Sequence, residues 1–461
     1  MTLQDTIKAR AIRSVLQLVA SASEENLRRI FFLLGKIHPS DFPDEIQAQA
    51  VANAFGEGTA FIRLFKRIML ECAPSVREKL IDNLIIKWRS TEGPRARALY
   101  REKYGCEPPM FFVISPSMAC NLKCKGCYSA EYAKGRDLEL ELVDRVIAEG
   151  KTLGMYFVTV SGGEPFLRKD LLSIYEKHND VYFLVYTNGH LINAELARVL
   201  RDLGNVAPAI SVEGFEDHTN ARRGHGAHGY IMRAMDNLAQ EGVLFGFSAT
   251  PTVHNSDAIA SEEFFDFYIS KGCKFGWLFQ YVPMGRCPQP EIMSTPEQRN
   301  RLREMVYEIR RTRPIFLGDF WNDGPLVCGC MAGGRNYFHI NVHGDVEPCV
   351  FQHFAVDNIR EKSLEECLQS DYFKAIRKAA GSFRDNLYMP CMIIDRPRVL
   401  RNLVKKYRAR PTHPGAETIV EDPNIVRCLD QYSQQLRKLT LPAWERDFGR
   451  ETARAAAGRA E

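Results

Sequence analysis

The sequence predicts an α/β protein: a partial (β/α)6 barrel of parallel strands, with an N-terminal helical domain before it and a small cysteine-rich extension after it. Three observations predict this. Between about 106 and 318, short β-branched and aromatic runs alternate with helix-length segments, which is the pattern of a parallel sheet. There are six such units, too few for a closed eight-fold barrel, so the barrel is expected to be curved and partly open. On either side the pattern changes, to helical periodicity before 105 and to clustered glycine and cysteine after 318.

Residues 1–105 read as a helical domain. Ile12 to Val19, Leu27 to Ile37 and Ala60 to Leu70 carry apolar residues at three- and four-residue intervals, broken by Pro39, Pro43 and Pro74. The stretch from Phe61 to Leu70 is basic and amphipathic enough to permit peripheral membrane contact. The barrel, 106–318, takes its strands from Phe111 to Ser115, Tyr156 to Ser161, Val181 to Thr187, Ala207 to Glu213, Leu244 to Thr250 and Phe275 to Tyr281. The extension, 319–395, holds a hairpin over 337–346, with turn signals at His343, Gly344 and Asp345. A basic, helix-prone tail fills 396–461.

Bulk properties exclude several classes. Of 461 residues, 45% are apolar and 26% charged, as in ordinary globular chains, and a net charge of +4 gives no argument for nucleic acid. Thirteen cysteines, an odd number scattered over a long chain, do not form a secreted disulfide framework. The N-terminus lacks the pattern of a signal peptide, and no stretch reaches the ~18 apolar residues of a membrane span. A cytoplasmic location is expected, with thiols kept reduced and available as ligands.

Cys120, Cys124 and Cys127, spaced C-x3-C-x2-C and followed by Tyr128, lie just after the first strand. Three thiolates are one short of a closed tetrahedral zinc site, and a cubane has four irons to ligate. The spacing therefore suggests a [4Fe–4S] cluster with one iron left open; zinc with a distant fourth ligand such as Cys106 or His190 is the alternative. The second strand ends in Ser161-Gly162-Gly163-Glu164-Pro165, where glycines let backbone come close to a ligand and Glu164 adds an acceptor.

This combination resembles the radical S-adenosylmethionine (SAM) enzymes over 106–318. The resemblance implies that Cys120, Cys124 and Cys127 bind the cluster and that SAM chelates its open iron. Tyr128 would lie by the adenine, and Gly162, Gly163 and Glu164 would hold the methionine amino group. Asn188, in Thr187-Asn188-Gly189, matches a polar strand-end contact to SAM. Ser211 and Glu213 match ribose and carboxylate contacts, although relatives commonly carry aspartate in place of Glu213. Arg223 would pair with the SAM carboxylate. The implied reaction is one-electron reductive cleavage of SAM to a 5′-deoxyadenosyl radical, which abstracts hydrogen from an unactivated carbon. The cofactor supplies that chemistry while the protein orients and shields it.

Cys328, Cys330, Cys349 and Cys391, with Gly344 giving C-x13-G-x4-C from Cys330 to Cys349, resemble the SPASM or twitch extensions that carry auxiliary iron–sulfur clusters. Tyr281 to Arg286 resembles the exit of such barrels. The dense cysteine motif of a full SPASM domain is missing after Cys349, so one auxiliary [4Fe–4S] cluster is expected. Cys330, Cys349 and Cys391 are its ligands, with Cys328 and Cys367 competing for the fourth place; a zinc site or reduced structural cysteines are the alternative. Cys72, Cys273 and Cys428 are isolated and read as ordinary thiols. The implied partners are an electron donor such as flavodoxin or ferredoxin and a peptide or small-molecule substrate. Peptide or protein maturation, tetrapyrrole chemistry and lipid modification fit. A hydrophobic substrate would suit the stretch Phe316 to Leu326. A rival from another class is a non-catalytic metal-binding scaffold that kept the barrel.

Overall fold

The computed structural model describes residues 3–21, 44–56, 58–132, 137–285 and 287–457. The expected helical run from Leu27 to Ile37, with Pro39 and Pro43, and Arg286 lie outside these. Seven strands, β1 (Phe112–Ile114), β2 (Phe157–Val160), β3 (Tyr182–Thr187), β4 (Val206–Val212), β5 (Gly246–Ala249), β6 (Phe275–Leu278) and β7 (Phe316–Asp319), pair in chain order, all parallel. Parallel neighbours require crossovers, which the intervening helices supply.

Two features extend this sheet beyond the expected six strands. β7 adds a seventh, so the parallel sheet runs one residue past the expected boundary at 318. The hairpin of the extension, β8 (His339–Ile340) and β9 (Asp345–Glu347), pairs through β8 with β1, parallel. Two short strands follow, β10 (Phe354–Ala355) and β11 (Asp357–Asn358), and β11 closes the order β11-β9-β8-β1-β2-β3-β4-β5-β6-β7. The extension is thus joined to the barrel edge by backbone hydrogen bonds. The tail is helical over Pro397–Tyr407 and Pro423–Ala457, interrupted by β12 (Arg410–Pro411), which pairs with β10.

Strand periodicity separates two apolar layers. Residues such as Phe112, Ile114, Val158, Val160, Phe183, Val185, Ile210, Val212 and Phe247 pack outward into the main core with the crossover helices. The alternate residues face inward. Near the N-terminal ends of the strands, Tyr182, Leu184, Ala207, Ala209 and Phe275 form a second cluster with Cys72, Val76, Ile68, Leu80 and Leu84 of the N-terminal helices.

Those helices therefore make the floor of the barrel. Leu80–Trp88 is wound in wide π-type turns and is tied down at both ends. The buried Asn83 amide donates to the carbonyls of Asn179 (3.0 Å) and Val181 (3.2 Å), just before β3. The Trp88 indole donates to the Met110 carbonyl at 2.8 Å, just before β1. Arg67 adds bonds to the carbonyls of Ile269, Cys273 and Pro314. Buried carbonyls at strand starts need such donors, and side chains of the helical domain supply them.

Candidate cluster and cofactor cavity

The cysteine loop is positioned by backbone. β1 runs into it, and the turn at the end of β2 clamps it: Gly163 N donates to Ser117 O at 2.9 Å and Glu164 N to Ala119 O at 2.8 Å. A Cβ on Gly162 would stand 2.2 Å from Ser117 O, and one on Gly163 2.1 Å from Ala119 O. The two glycines are needed first so that these two loops can touch. On the other side Lys125 N donates to Arg222 O (3.0 Å), and Arg222 Nε to Lys125 O (3.3 Å).

Cys120, Cys124 and Cys127 line one cavity of about 500 Å³ at the C-terminal ends of the strands. Tyr128, Gly162, Gly163, Asn188, Ser211 and Arg223 border the same space, so the structure brings most of the predicted site residues together. Among the described residues, no three His, Cys, Asp or Glu side chains converge as ligands of a single ion. Three soft thiols spread around a roomy, partly polar cavity suit a polynuclear cluster with a further ligand beside it. Burial raises the Cys120 and Cys124 thiols, and the Leu122 amide and the Arg223 guanidinium respectively oppose it.

Glu164 and Glu213 do not border the cavity; each stands one layer behind it. Glu164 is buried and fully engaged. Its Oε1 accepts from Thr187 Oγ1 (2.8 Å) and Phe166 N (3.2 Å), and its Oε2 from Asn188 N (2.7 Å). It ties the end of β2 to the end of β3, and burial raises its pKa against those donors. Glu213 Oε1 accepts from Arg222 Nη1 at 2.6 Å and from Arg223 at 2.9 and 2.5 Å, while its buried Oε2 has no partner. Both guanidiniums border the cavity, so Glu213 holds a pair of cations there rather than one.

The remaining walls show how each predicted contact is oriented. The Asn188 amide donates to Asn121 Oδ1 at 2.7 Å and lies 3.9 Å from Cys120 Sγ. Ser211 and Ser248 are register neighbours on β4 and β5, 3.4 Å apart. The Tyr128 hydroxyl is 3.0 Å from Ser161 Oγ, and its ring stacks on His353 at 6.0 Å.

Sequence reading chose Arg223 over the adjacent Arg222, which also borders the cavity from the helix Glu216–Arg223, and it missed Ser248, Thr250 and Gln280. Ser248 and Thr250 could have been found by strand-end position. Gln280 lies just after β6; it is buried, and among the described residues its Nε2 has no partner, while the residue borders the cavity.

In the extension, Cys330, Cys349 and Cys391 border a second, small cavity of about 30 Å³ with Trp321 and Met392. Amides aim at two of the sulfurs: Phe351 N to Cys349 at 3.4 Å and Ile393 N to Cys391 at 3.3 Å. Tyr337 OH donates to Cys349 Sγ at 2.7 Å. Such donors stabilise thiolates in a cluster site. Neither candidate for the fourth place lies there. Gly329, at φ +119°, turns the chain so that Cys328 sits beside Asp44 and Arg384, and Cys367 is buried in the helix Leu364–Leu368 by Asp357 and Lys362. Local spacing could not show this, because three of the five cysteines reach the cavity only through the tertiary fold.

Residues 114–266 match the radical SAM superfamily, and residues 328–392 match an iron–sulfur cluster-binding domain, SPASM. An Fe-coproporphyrin III synthase of Methanosarcina barkeri is 34% identical over 30% of this chain, but the match spans only 35% of that protein's length. An AdoMet-dependent heme synthase of Oleidesulfovibrio alaskensis is 25% identical over 56% of this chain and 74% of its own. A mycofactocin maturase of Mycolicibacterium smegmatis is 26% identical over 56% and 68%. The crystal structure of Streptococcus suis SuiB bound to S-adenosylmethionine shares the fold, with a TM-score of 0.53 and 20% identity over 70% of this chain and 83% of that one. The chain thus contains a radical SAM domain followed by a SPASM iron–sulfur cluster-binding domain.

Proposed function

We propose that this protein is a radical SAM enzyme that removes a hydrogen atom from an unactivated carbon of its substrate, with one catalytic and one auxiliary [4Fe–4S] cluster. The observation that carries the reading is the convergence of Cys120, Cys124, Cys127, Asn188, Ser211 and Arg223 on one cavity at the strand ends. When bound, the cluster and SAM together supply a reductively generated 5′-deoxyadenosyl radical. The chain's own residues do the rest. Cys120, Cys124 and Cys127 would hold the cluster through their thiolates.

Arg223 would pair with the SAM carboxylate, and Glu213 holds its guanidinium in place through paired hydrogen bonds. Asn188 and Ser211 supply neutral donors and acceptors, and Tyr128 gives an aromatic face. Gly162 and Gly163 keep the cysteine loop seated, and Glu164 positions Asn188 through its backbone amide. Cys330, Cys349 and Cys391 would hold the auxiliary cluster. All thirteen cysteines are free thiols, which suits a cytoplasmic protein reduced by a flavodoxin or ferredoxin. No helix among the described residues is long and apolar enough to cross a membrane.

Anaerobic reconstitution, followed by dithionite and SAM, tests this. Formation of 5′-deoxyadenosine is expected, and about four irons are expected to be lost in a Cys120/Cys124/Cys127→Ala variant, with about four remaining. Metal retention without SAM cleavage or SAM binding would instead mark a scaffold.

A further inference from the structure

The cavity does not end at the cysteine loop. Phe157, Thr159 and Ser161 all border it, so it follows the inner face of β2 along its whole length, about 13 Å at the usual rise per residue. The sequence leaves this interior hollow. The inward residues of β4 and β5 that border it are small, Ser211, Ser248 and Thr250, whereas Ala207, Ala209 and Leu244 belong to the packed apolar cluster with Tyr182, Leu184 and Phe275. Barrel interiors of this kind are ordinarily filled by bulky branched side chains. The opposite wall is Trp277 of β6 and Phe279 just after it, near-parallel at 14° and 6.2 Å. The lower end is bounded by Leu84 and Trp88 of the floor and by Phe316, which is 38% exposed, so this end meets the surface.

The two halves differ in polarity. Among the described residues bordering the cavity, the charged ones are Lys123, Arg222 and Arg223, all at the cysteine-loop end, and none is acidic. In the lower half the Trp88 indole N–H is already satisfied by Met110 O. A peptide placed there would meet only the side-chain polar atoms of Thr159, Tyr186 and Trp277, too few for its backbone amides, and each amide left unpaired costs about 1–3 kcal/mol by mutational measures. A macrocycle with carboxylates around its rim would need cations around the chamber, and the lower half has none. A hydrocarbon meets neither penalty.

We propose that the lower, aromatic half of this cavity binds a hydrocarbon chain, so that the substrate is a lipid whose apolar tail enters past Phe316 and Trp88 and runs up the barrel toward the cysteine loop. This rests on the reading of the upper half as the SAM site.

The chain's four tryptophans provide the test, since Trp88 and Trp277 border the chamber whereas Trp444 is buried in the tail helix. Full-length protein without SAM is titrated with 9,10-dibromostearate, a contact quencher. Saturable quenching is expected, largely lost in a Trp88→Phe/Trp277→Phe variant of unchanged circular dichroism. Displacement by unbrominated fatty acids of 8–16 carbons, below their micelle concentrations, should tighten roughly fourfold per methylene until the chamber is full. Absence of quenching, equal quenching in the double variant, or displacement by a porphyrin tetracarboxylate or a short peptide at lower concentration than by stearate overturns the proposal. Cleavage of SAM is measured in parallel. If 5′-deoxyadenosine forms but no chain binds, only the hydrocarbon assignment falls. If chains bind but SAM is never cleaved, the enzyme reading falls and the chamber is a lipid site.

Discussion

Glu164 shows how much one buried carboxylate can do from behind the cavity wall. It accepts three hydrogen bonds, from Phe166 N, Thr187 Oγ1 and Asn188 N, and so fixes where Asn188 enters the cavity. Glu164→Gln keeps the shape but sets an amide donor against one of these donors. A loss of about 1–3 kcal/mol is expected, read as a lower urea midpoint with an unchanged slope. Gln280 is the reverse case. Its Nε2 is a buried donor with no partner, at the cavity wall. Gln280→Leu removes an unmet donor, so the melting temperature should hold or rise, while affinity for SAM or substrate falls by about tenfold if the amide donates to a bound group. Calorimetric titration beside a thermal melt separates the two. The sequence announces Cys120, Cys124, Cys127 and the two glycines because their spacing is local. It does not announce Gln280, whose role depends on the direction its amide takes after β6.

At the scale of elements, the six expected strands are present because each is a short apolar run bounded by turn residues, and their order follows from the helices between them. β7 is harder to read: Phe316 to Asp319 is short and includes Gly318, so it looks like part of a loop. The pairing of β8 with β1 joins residues more than two hundred positions apart, and no local pattern encodes it. The contact between the cysteine loop and the β2 turn is the most demanding of these junctions. Gly163→Ala places a methyl group 2.1 Å from a backbone oxygen, which a flexible side chain cannot relieve. The loops must part, at a cost of about 1–3 kcal/mol. Iron content should fall toward that of the cysteine triple variant while far-ultraviolet circular dichroism stays the same.

Across the whole molecule, the barrel and extension are joined by buried polar groups as well as by β8. Arg299, on the helix Pro296–Thr312, pairs with Asp395 at 2.5 and 3.1 Å, and Asp395 also accepts from Cys391 N at 3.0 Å. Both side chains are fully buried. Asp395→Ala leaves the cation without its partner, and a loss of about 3–5 kcal/mol is expected.

The second junction sets a pH dependence. Glu347 of β9 accepts from Tyr132 OH of the cysteine loop at 2.9 Å and from Thr412 Oγ1 of the tail at 2.5 Å, beside His339 and His353. Burial opposes its ionisation, but the two histidines hold it well below the usual carboxylate range. Packed against the Tyr132 ring at 4.3 Å and the His353 ring at 4.7 Å, His413 is pushed down to about 4 by burial and then by His353. Its unfolded value is about 6.5, so between about pH 6.5 and 4 the unfolded chain binds more protons than the folded one. Stability contributed by neutral His413 is therefore present above about 6.5, falls through that window, and changes no further below about 4. The total is no more than about 3 kcal/mol. The Glu347 contribution is lost only below about pH 4, as its unfolded pKa is passed, so the two windows are distinct. Urea midpoints measured from pH 7 to 4 should decline in wild type and flatten in His413→Asn, whose amide can still donate to Pro414 O but cannot take up the proton. Parallel curves for the two proteins would place the pH sensitivity elsewhere in the fold.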